Sequence, residues 1–238
     1  MSAARTRVPR VGVSLRRVAR ENSLGLFFGV LFLAAVIGQS IAGHHAYNAA
    51  QIEHGADTIS YVDYLVSSHF GQAVLENWQS EFLQFALFIG ATVWLLQRGS
   101  PESKPLDKAG GESKQDQLLE HAARPDSPRW ARVGGWRTRV YSNSLLIAMG
   151  SIFIASWAVQ SITGRNELNA ERIEHGVGPV SWISYVTGPE FWEDTLQNWQ
   201  SEFLAVGTMA VFAIYLRQRG SPESKPVGAS HEETGRTG

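Results

Sequence analysis

Four stretches of the chain are almost free of charge and rich in large apolar side chains. They cover residues 24–41, 82–96, 145–162 and 203–216. The first and third hold about 18 residues each, close to the roughly 20 that cross a bilayer as a helix. The second and fourth are shorter and reach that length only with the tryptophan-containing segment before each of them. The pattern therefore predicts an all-α membrane protein with four transmembrane helices.

The four stretches belong to two copies of one longer segment. Residues 22–105, the first repeat, align without a gap with residues 143–226, the second repeat, at a constant offset of 121 residues. Residues 77–83 (NWQSEFL) recur unchanged as residues 198–204. Since each copy of an internal repeat is normally one structural unit, we expect two tandem, homologous helical hairpins.

The segments between the helices of each hairpin also read as helical. The pattern can stay helical through His54 in the first repeat and His175 in the second. A glycine follows each histidine, where glycine commonly ends a helix. Short amphipathic pieces follow at residues 59–66 and 180–186. The sequence therefore predicts helical outer loops.

Composition then divides the chain into five segments. Residues 99–128 are rich in Gly, Ser, Pro, Gln and charge, a composition typical of flexible chain, and the C-terminal tail is similar. The predicted segments are a basic N-terminal segment (1–21), the first hairpin (22–98), a flexible linker (99–142), the second hairpin (143–219) and a disordered tail (220–238).

The distribution of positive charge predicts the orientation. Among all Lys and Arg residues, only Arg165 and Arg172 lie between the two helices of a hairpin. Because cytoplasmic loops carry the excess of Lys and Arg, we expect both termini and the linker in the cytoplasm and both outer loops outside. The formal net charge of −1 gives no indication of nucleic-acid binding. The absence of cysteine excludes disulfides, thiolate metal sites and a Cys nucleophile.

The first candidate polar site lies near the outer membrane interface. Asn77 and Glu81 are four residues apart and share a helix face, and a carboxylate at that depth is costly unless it is paired. Gln39 and Ser40, at the outer end of the preceding helix, are the expected partners. These groups either lock the hairpin, at about 0.6–2 kcal/mol per interhelical bond, or form a functional site. The equivalent residues of the second repeat are Gln160, Ser161, Asn198 and Glu202.

The second candidate site lies in the outer loops. Glu53 and His54, with Glu174 and His175 in the second repeat, could bind a divalent cation or titrate together if the copies meet. The alternative is a plain helix C-terminus, where the helix dipole favours a charged histidine. The spacing matches no metal motif, so we predict no metal and no cofactor. The pair at 44–45 is a weaker metal candidate, because the second repeat has Arg and Asn there.

A nine-residue sequence, QRGSPESKP, is identical at both inner helix exits. It occupies residues 97–105 and 218–226. Glycine and proline suit a helix stop, but nine identical residues exceed what a stop needs. Our hypothesis is a docking motif for a cytoplasmic partner, or a fold against the inner helix ends.

These motifs together resemble a bacterial family of small polytopic membrane proteins that is catalogued only as a domain of unknown function. The resemblance covers both repeats, although Leu168 stands in the second where Tyr47 stands in the first. It implies a multi-pass protein of the bacterial inner membrane and carries over no catalytic or binding residue. The residues that carry it are Gln39-Ser40, Tyr47-Asn48, His54-Gly55, 77–83 and 97–104.

The function expected from the sequence is non-enzymatic. No phosphate loop, zinc-hydrolase motif or nucleophile elbow is present in the sequence. We expect a structural or interaction protein of the cell envelope, with the lipid bilayer and a homo-oligomer as partners. Two alternatives stay open: an outward-facing cation- or pH-binding sensor module, and a small transporter or channel subunit with Gln39, Asn77 and Glu81 at an outer vestibule.

Overall fold

The computed structural model describes residues 15–236, and within that range the chain forms helices and no strands. The predicted all-α class is therefore confirmed for the described residues. Most of the basic N-terminal segment lies outside them. The helices are α1 (Leu15–Glu21), α2 (Ser23–Glu53), α3 (Tyr61–Leu65), α4 (Ser68–Trp94), α5 (Arg129–Arg132), α6 (Gly135–Ser142), α7 (Ser144–Glu174), α8 (Trp182–Val186) and α9 (Pro189–Tyr215), with a 3₁₀ turn at Glu120–Ala122.

Two compact units make up the chain. Among the described residues, the first unit ends at Phe70 and the second begins at Gly71. The boundary falls within the first turn of α4, so the first unit contains α2 and α3, whereas the second contains nearly all of α4 together with α7, α8 and α9.

Two helices, α2 and α7, are long and apolar enough to cross a membrane. Each has 31 residues, and their most apolar windows are only 6% and 17% buried. The prediction of four such helices is corrected here, because α4 and α9 do not qualify. Both begin with a polar stretch and end at Trp94 and Tyr215. About 13 apolar residues remain in each, and at 1.5 Å per residue they span roughly 20 of the 30 Å of a hydrocarbon core.

In the first unit, the outer loop folds back on α2 through a tyrosine and a glycine. Gly55 ends α2 with a φ of +73°, a left-handed conformation that favours glycine. Ser60 caps α3 by accepting a hydrogen bond from the backbone N–H of Asp63 at 3.2 Å. Tyr64 is 2% exposed, and its hydroxyl lies where a Cβ at position 43 would be, so only glycine fits there.

The second unit repeats these contacts at the equivalent positions. Gly176 ends α7 with a φ of +71°, and Ser181 caps α8. Tyr185 is 3% exposed, and its hydroxyl lies against Gly164 of α7. The sequence signals for the ends of α2 and α7 and for the short helices α3 and α8 are therefore confirmed.

The C-terminal ends of α4 and α9, for which the sequence predicts the cytoplasmic side, continue into two equivalent turns, which we call the inner turns. The backbone N–H of Gln97 donates to the hydroxyl of Ser103 at 2.9 Å, and that of Gln218 donates to the hydroxyl of Ser224 at 3.0 Å. The second turn contains Lys225, which is 1% exposed. Its ammonium donates at 3.0, 3.0 and 3.2 Å to the carbonyls of Ser230, His231 and Glu233.

The linker and the tail each contain turns that are closed by local hydrogen bonds. In the linker, the ammonium of Lys104 donates to the carbonyl of Gly110 at 3.0 Å. In the tail, the backbone N–H of Gly235 donates to the carbonyl of Ser100, also at 3.0 Å, which ties the tail to the first inner turn.

Candidate functional site

The polar halves of α4 and α9 lie side by side within the second unit. The residue numbers of the hydrogen-bonded partners increase together along both helices, so the helices run parallel. We call this set of contacts the α4–α9 ladder. Its four rungs are Gln72 Nε2–Asp194 Oδ2 at 3.5 Å, Asn198 Nδ2–Glu76 Oε1 at 2.7 Å, Trp199 Nε1–Gln79 Oε1 at 2.7 Å and Ser80 Oγ–Glu202 Oε1 at 3.5 Å.

The middle of the ladder is closed to solvent by aromatic rings. Gln79 is fully buried, and its amide is satisfied by Trp199 and by the carbonyl of Glu76 at 3.1 Å. Trp157 of α7 lies 5.8 Å from the ring of Trp199 and stacks on Phe191 at 5.7 Å. Such rings exclude water, so the hydrogen bonds they cover are costly to break.

The outer end of the ladder is acidic. Burial raises the pKa of Glu76; the hydrogen bond from Asn198 opposes this shift, and the neighbouring Asp194 adds to it. Burial also raises the pKa of Asp194, with further contributions from Glu193 and Glu190. These carboxyl groups therefore hold their protons to higher pH than isolated carboxyl groups.

The predicted polar site is used unequally by the two repeats. Asn198 and Glu202 are half-buried and take part in the ladder. Asn77 and Glu81, their equivalents, are exposed, and the amide of Asn77 donates to the carbonyl of Ala73 in its own helix at 3.0 Å. The repeated sequence therefore does not give repeated contacts at this level.

The serines of the predicted site bond to the outer loops. Ser40 Oγ lies 2.6 Å from the hydroxyl of Tyr61, and Ser161 Oγ accepts from Nε1 of Trp182 at 2.9 Å. Each serine therefore fastens α2 or α7 to the short helix that follows it. In the second unit, this replaces the expected bond between Ser161 and Glu202.

The two glutamines of the predicted site differ in burial. Gln39 is exposed, whereas Gln160 is 1% exposed. Neither polar atom of the Gln160 amide has a hydrogen-bond partner among the described residues, so the expected pairing with Glu202 is not formed.

The outer-loop candidates lie at the C-terminal ends of two helices. Glu53 and His54 are exposed at the end of α2, and Glu174 and His175 are exposed at the end of α7. Nδ1 of His175 is 2.8 Å from the carbonyl of Glu171, one turn earlier. Within residues 15–236, no group of three or more His, Asp or Glu side chains is placed to hold a metal ion.

An asparagine in each outer loop holds the backbone across the loop, and the sequence prediction missed this role. Asn48 accepts from the N–H of Ile59 at 2.9 Å and donates to its carbonyl at 3.0 Å. Asn169 forms the same pair of bonds with Val180, at 2.7 and 3.1 Å. Retention of asparagine at both equivalent positions was the signal that could have revealed it.

A histidine joins this arrangement in the first repeat only. Nε2 of His44 lies 2.9 Å from the carbonyl of Ile59 and 2.9 Å from Nδ2 of Asn48. One ring nitrogen cannot donate to the carbonyl and accept from the amide at once. The equivalent residue in the second repeat is Arg165, which is always charged.

The fold and its polar contacts define an all-α protein with two apolar helices of membrane-spanning length. The chain belongs to the DUF6766 family, a domain of unknown function whose family profile matches residues 15–236. The predicted resemblance to a domain of unknown function is confirmed to that extent. No curated protein and no solved structure matches the chain.

Proposed function

We propose that the protein is an integral protein of the bacterial cell membrane, anchored by α2 and α7, with a structural or interaction role and no enzymatic activity. The observation that carries the proposal is the exposed apolar surface of α2. Only 6% of its most apolar window is buried, and bulky side chains are exposed around its whole circumference. A helix that is apolar all round needs lipid or protein around it.

The proposed orientation places both termini and the linker in the cytoplasm. The excess of Lys and Arg in these segments supports it. If α2 and α7 cross in the same direction, the chain has to come back between them. We propose that α4 makes this return although its apolar run is shorter than the hydrocarbon core, and that α9 does the same after α7. The polar halves of α4 and α9 are directed towards each other in the α4–α9 ladder, which satisfies side chains that lipid would not.

A non-enzymatic role is supported by the way in which the polar groups are used. In the α4–α9 ladder, polar side chains bond mainly to one another. In the outer loops and the inner turns, polar side chains bond mainly to the backbone. The proposed partners are the bilayer and a second copy of the chain. A cytoplasmic partner would meet the exposed residues of the inner turns, such as Arg98 and Arg219, because Ser103, Ser224 and Lys225 are buried.

The test is the accessibility of single cysteines, which the cysteine-free chain permits directly. One cysteine replaces Asp57 in the first outer loop, another replaces Ser113 in the linker, and a third replaces Gly178 in the second outer loop. Intact cells are treated with a membrane-impermeant maleimide before and after permeabilisation.

The proposal predicts labelling at positions 57 and 178 in intact cells, and at position 113 only after permeabilisation. Equal labelling at 57 and 113 in intact cells would show that α4 does not return the chain. Recovery of the protein in the soluble fraction would exclude the membrane role altogether.

A second candidate function, an outward-facing pH sensor, is favoured by His44. Histidine is the side chain whose charge normally changes between about pH 5 and 8. Nε2 of a neutral His44 donates to the carbonyl of Ile59 in one tautomer and accepts from Nδ2 of Asn48 in the other, whereas a charged ring can only donate. The ring faces His45, Tyr61 and Tyr64 at 5.6–5.7 Å, and none of these is acidic.

The matched variants for this candidate are His44→Gln and His45→Gln. The sensor predicts that the change in thermal stability between pH 5 and pH 8 differs between His44→Gln and the parent, whereas His45→Gln changes as the parent does. The same change in His44→Gln as in the parent would exclude His44 as the sensor.

A further inference from the structure

An open groove runs between the inner halves of α4 and α9. It consists of two adjoining cavities of about 450 and 310 Å³. Cavities of this size accept small organic ligands. The walls are mainly aliphatic and aromatic, and they include Phe85, Phe88 and Leu95 on one side and Val206, Met209 and Ala210 on the other.

One carboxylate, that of Glu102, lines both cavities. Glu102 belongs to the first inner turn, and Phe88 is the other residue shared by the two cavities. Glu102 is half-buried. Among the described residues, no Lys or Arg forms an ion pair with it, whereas the other glutamates of the linker, Glu112 and Glu120, are both paired with lysines.

The surroundings of Glu102 add further negative charge. Burial raises its pKa, and the carboxylate of Glu223, the equivalent residue of the second inner turn, raises it further. A carboxylate against apolar walls and beside a second carboxylate is held at a cost, and a bound cation would offset that cost.

We propose that this groove binds an amphiphilic organic ammonium ion, with its cationic head against Glu102 and its apolar chain along α4 and α9. The chemistry of the walls selects the ligand class. Apolar walls exclude a hydrated metal ion, and the carboxylate disfavours an anionic amphiphile. Ser100 and Ser103 also line the Glu102 end, but their hydroxyls are buried and bonded within the first inner turn. Glu102 is therefore the group that meets the ammonium head.

The inference goes beyond the proposed membrane role and does not depend on it. Orientation is read by cysteine labelling, whereas ligand binding is read on purified protein. One result can fail while the other stands.

The experiment uses the full-length protein in nonionic detergent and three probes of equal chain length: decylammonium, decanol and decanoate. Binding is followed by native mass spectrometry and by the shift in melting temperature. We expect one decylammonium per chain, bound at least tenfold more tightly than decanol, with decanoate weakest. Binding should tighten as the pH rises and Glu102 ionises.

Three variants locate the site. Glu102→Gln should weaken decylammonium binding at least fivefold and leave decanol unchanged, whereas the control Glu112→Gln should leave both unchanged. Val206→Trp narrows the groove with Glu102 intact and should weaken both decylammonium and decanol. Each variant is first compared with the parent by circular dichroism, so that misfolding is not read as lost binding.

Two results would overturn the proposal. One is equal binding of decylammonium and decanol, which would mean that the groove binds both through apolar contacts alone. The other is unchanged decylammonium binding in a folded Glu102→Gln variant. Competition by phosphatidylethanolamine but not phosphatidylglycerol in nanodiscs would identify a lipid amine as the source, and displacement by neither lipid would point to a free amine.

Discussion

The two outer loops share one set of contacts with the preceding helix, which we call the loop frame, and they differ in the side chains between those contacts. In both, a tyrosine hydroxyl lies against a helix glycine, and an asparagine side chain bonds to both the N–H and the carbonyl of one loop residue. Between these fixed points, the first loop carries His44 where the second carries Arg165, and Tyr61 where the second carries Trp182.

The comparison distinguishes residues that fix the backbone of both loops from residues that differ between the two loops. Glycine and asparagine are retained where a Cβ would collide or where two backbone bonds depend on one side chain. Tyr61 and Trp182 differ in size, but each brings one polar atom to the same serine position. Function is therefore to be sought at the substituted positions, such as that of His44, whose ring meets both Asn48 and the carbonyl of Ile59.

The largest expected effect comes from variants that disrupt the loop frame. Gly164→Val places a Cβ on the hydroxyl of Tyr185, and Gly43→Val does the same with Tyr64. Overpacking of this kind costs about 1–3 kcal/mol, so both variants should melt at lower temperature. Pairing Gly164→Ala with Tyr185→Phe should recover part of the stability lost by Gly164→Ala alone.

Gly150 supplies the control for these variants. It also lies within α7, but nothing is within 4 Å of the place a Cβ would take. Gly150→Ala should therefore not destabilise the protein, because alanine is favoured over glycine in a helix. Equal losses in Gly150→Ala and Gly164→Ala would show that the tyrosine contact is unimportant.

The next effect distinguishes the two inner turns. Lys225→Met leaves three carbonyls without their donor and should cost about 1–3 kcal/mol. Lys104→Met removes one carbonyl contact and a partly exposed ion pair with Glu112, so the loss should be smaller. Chemical denaturation of both variants measures the difference, and equal losses would mean that the buried lysine has no special role.

A smaller effect should be shared by both loops. Asn169→Ala and Asn48→Ala each remove two hydrogen bonds to one residue, worth about 1 kcal/mol apiece. The two variants should lose similar stability, whereas Gln200→Ala, at an exposed position, should lose little. A much larger loss for Asn48→Ala would mean that His44 depends on that asparagine.

The smallest effect concerns Glu76, whose equivalent in the second repeat is Gln197. Because the folded protein raises the pKa of Glu76, its contribution to stability is full at pH values below about 4.5 and is lost as the pH rises through the raised value. Glu76→Gln keeps an acceptor for Asn198 and should flatten the decline in melting temperature between pH 4 and pH 7. The exposed control Asp57→Asn should retain the decline.

The helix ends could be predicted from sequence because their signals are local. Gly55 and Gly176 marked where α2 and α7 end, and Pro189 marked the first turn of α9. Hydropathy found α2 and α7. It overestimated α4 and α9 because each was brought to spanning length only by adding the segment before its apolar run, and that segment is polar.

The candidate site could be predicted only in part, because its contacts join distant residues. The sequence singled out Asn198 and Glu202 but assigned them to neighbours within their own hairpin. The structure instead pairs Asn198 with Glu76 of α4. Periodicity tells which face of a helix is polar but not which helix meets it. The role of His44 was missed because its absence from the second repeat was read against function.

The burial of Lys225 has a practical consequence for chemical modification. An amine held by three carbonyls and 1% exposed cannot be reached by acylating reagents until the second inner turn opens. Lys104, at the equivalent place in the first turn, has a partly exposed side chain and should react sooner. The ratio of the two acylation rates, measured on peptides after digestion, would report how often the second inner turn opens while the rest of the protein stays folded.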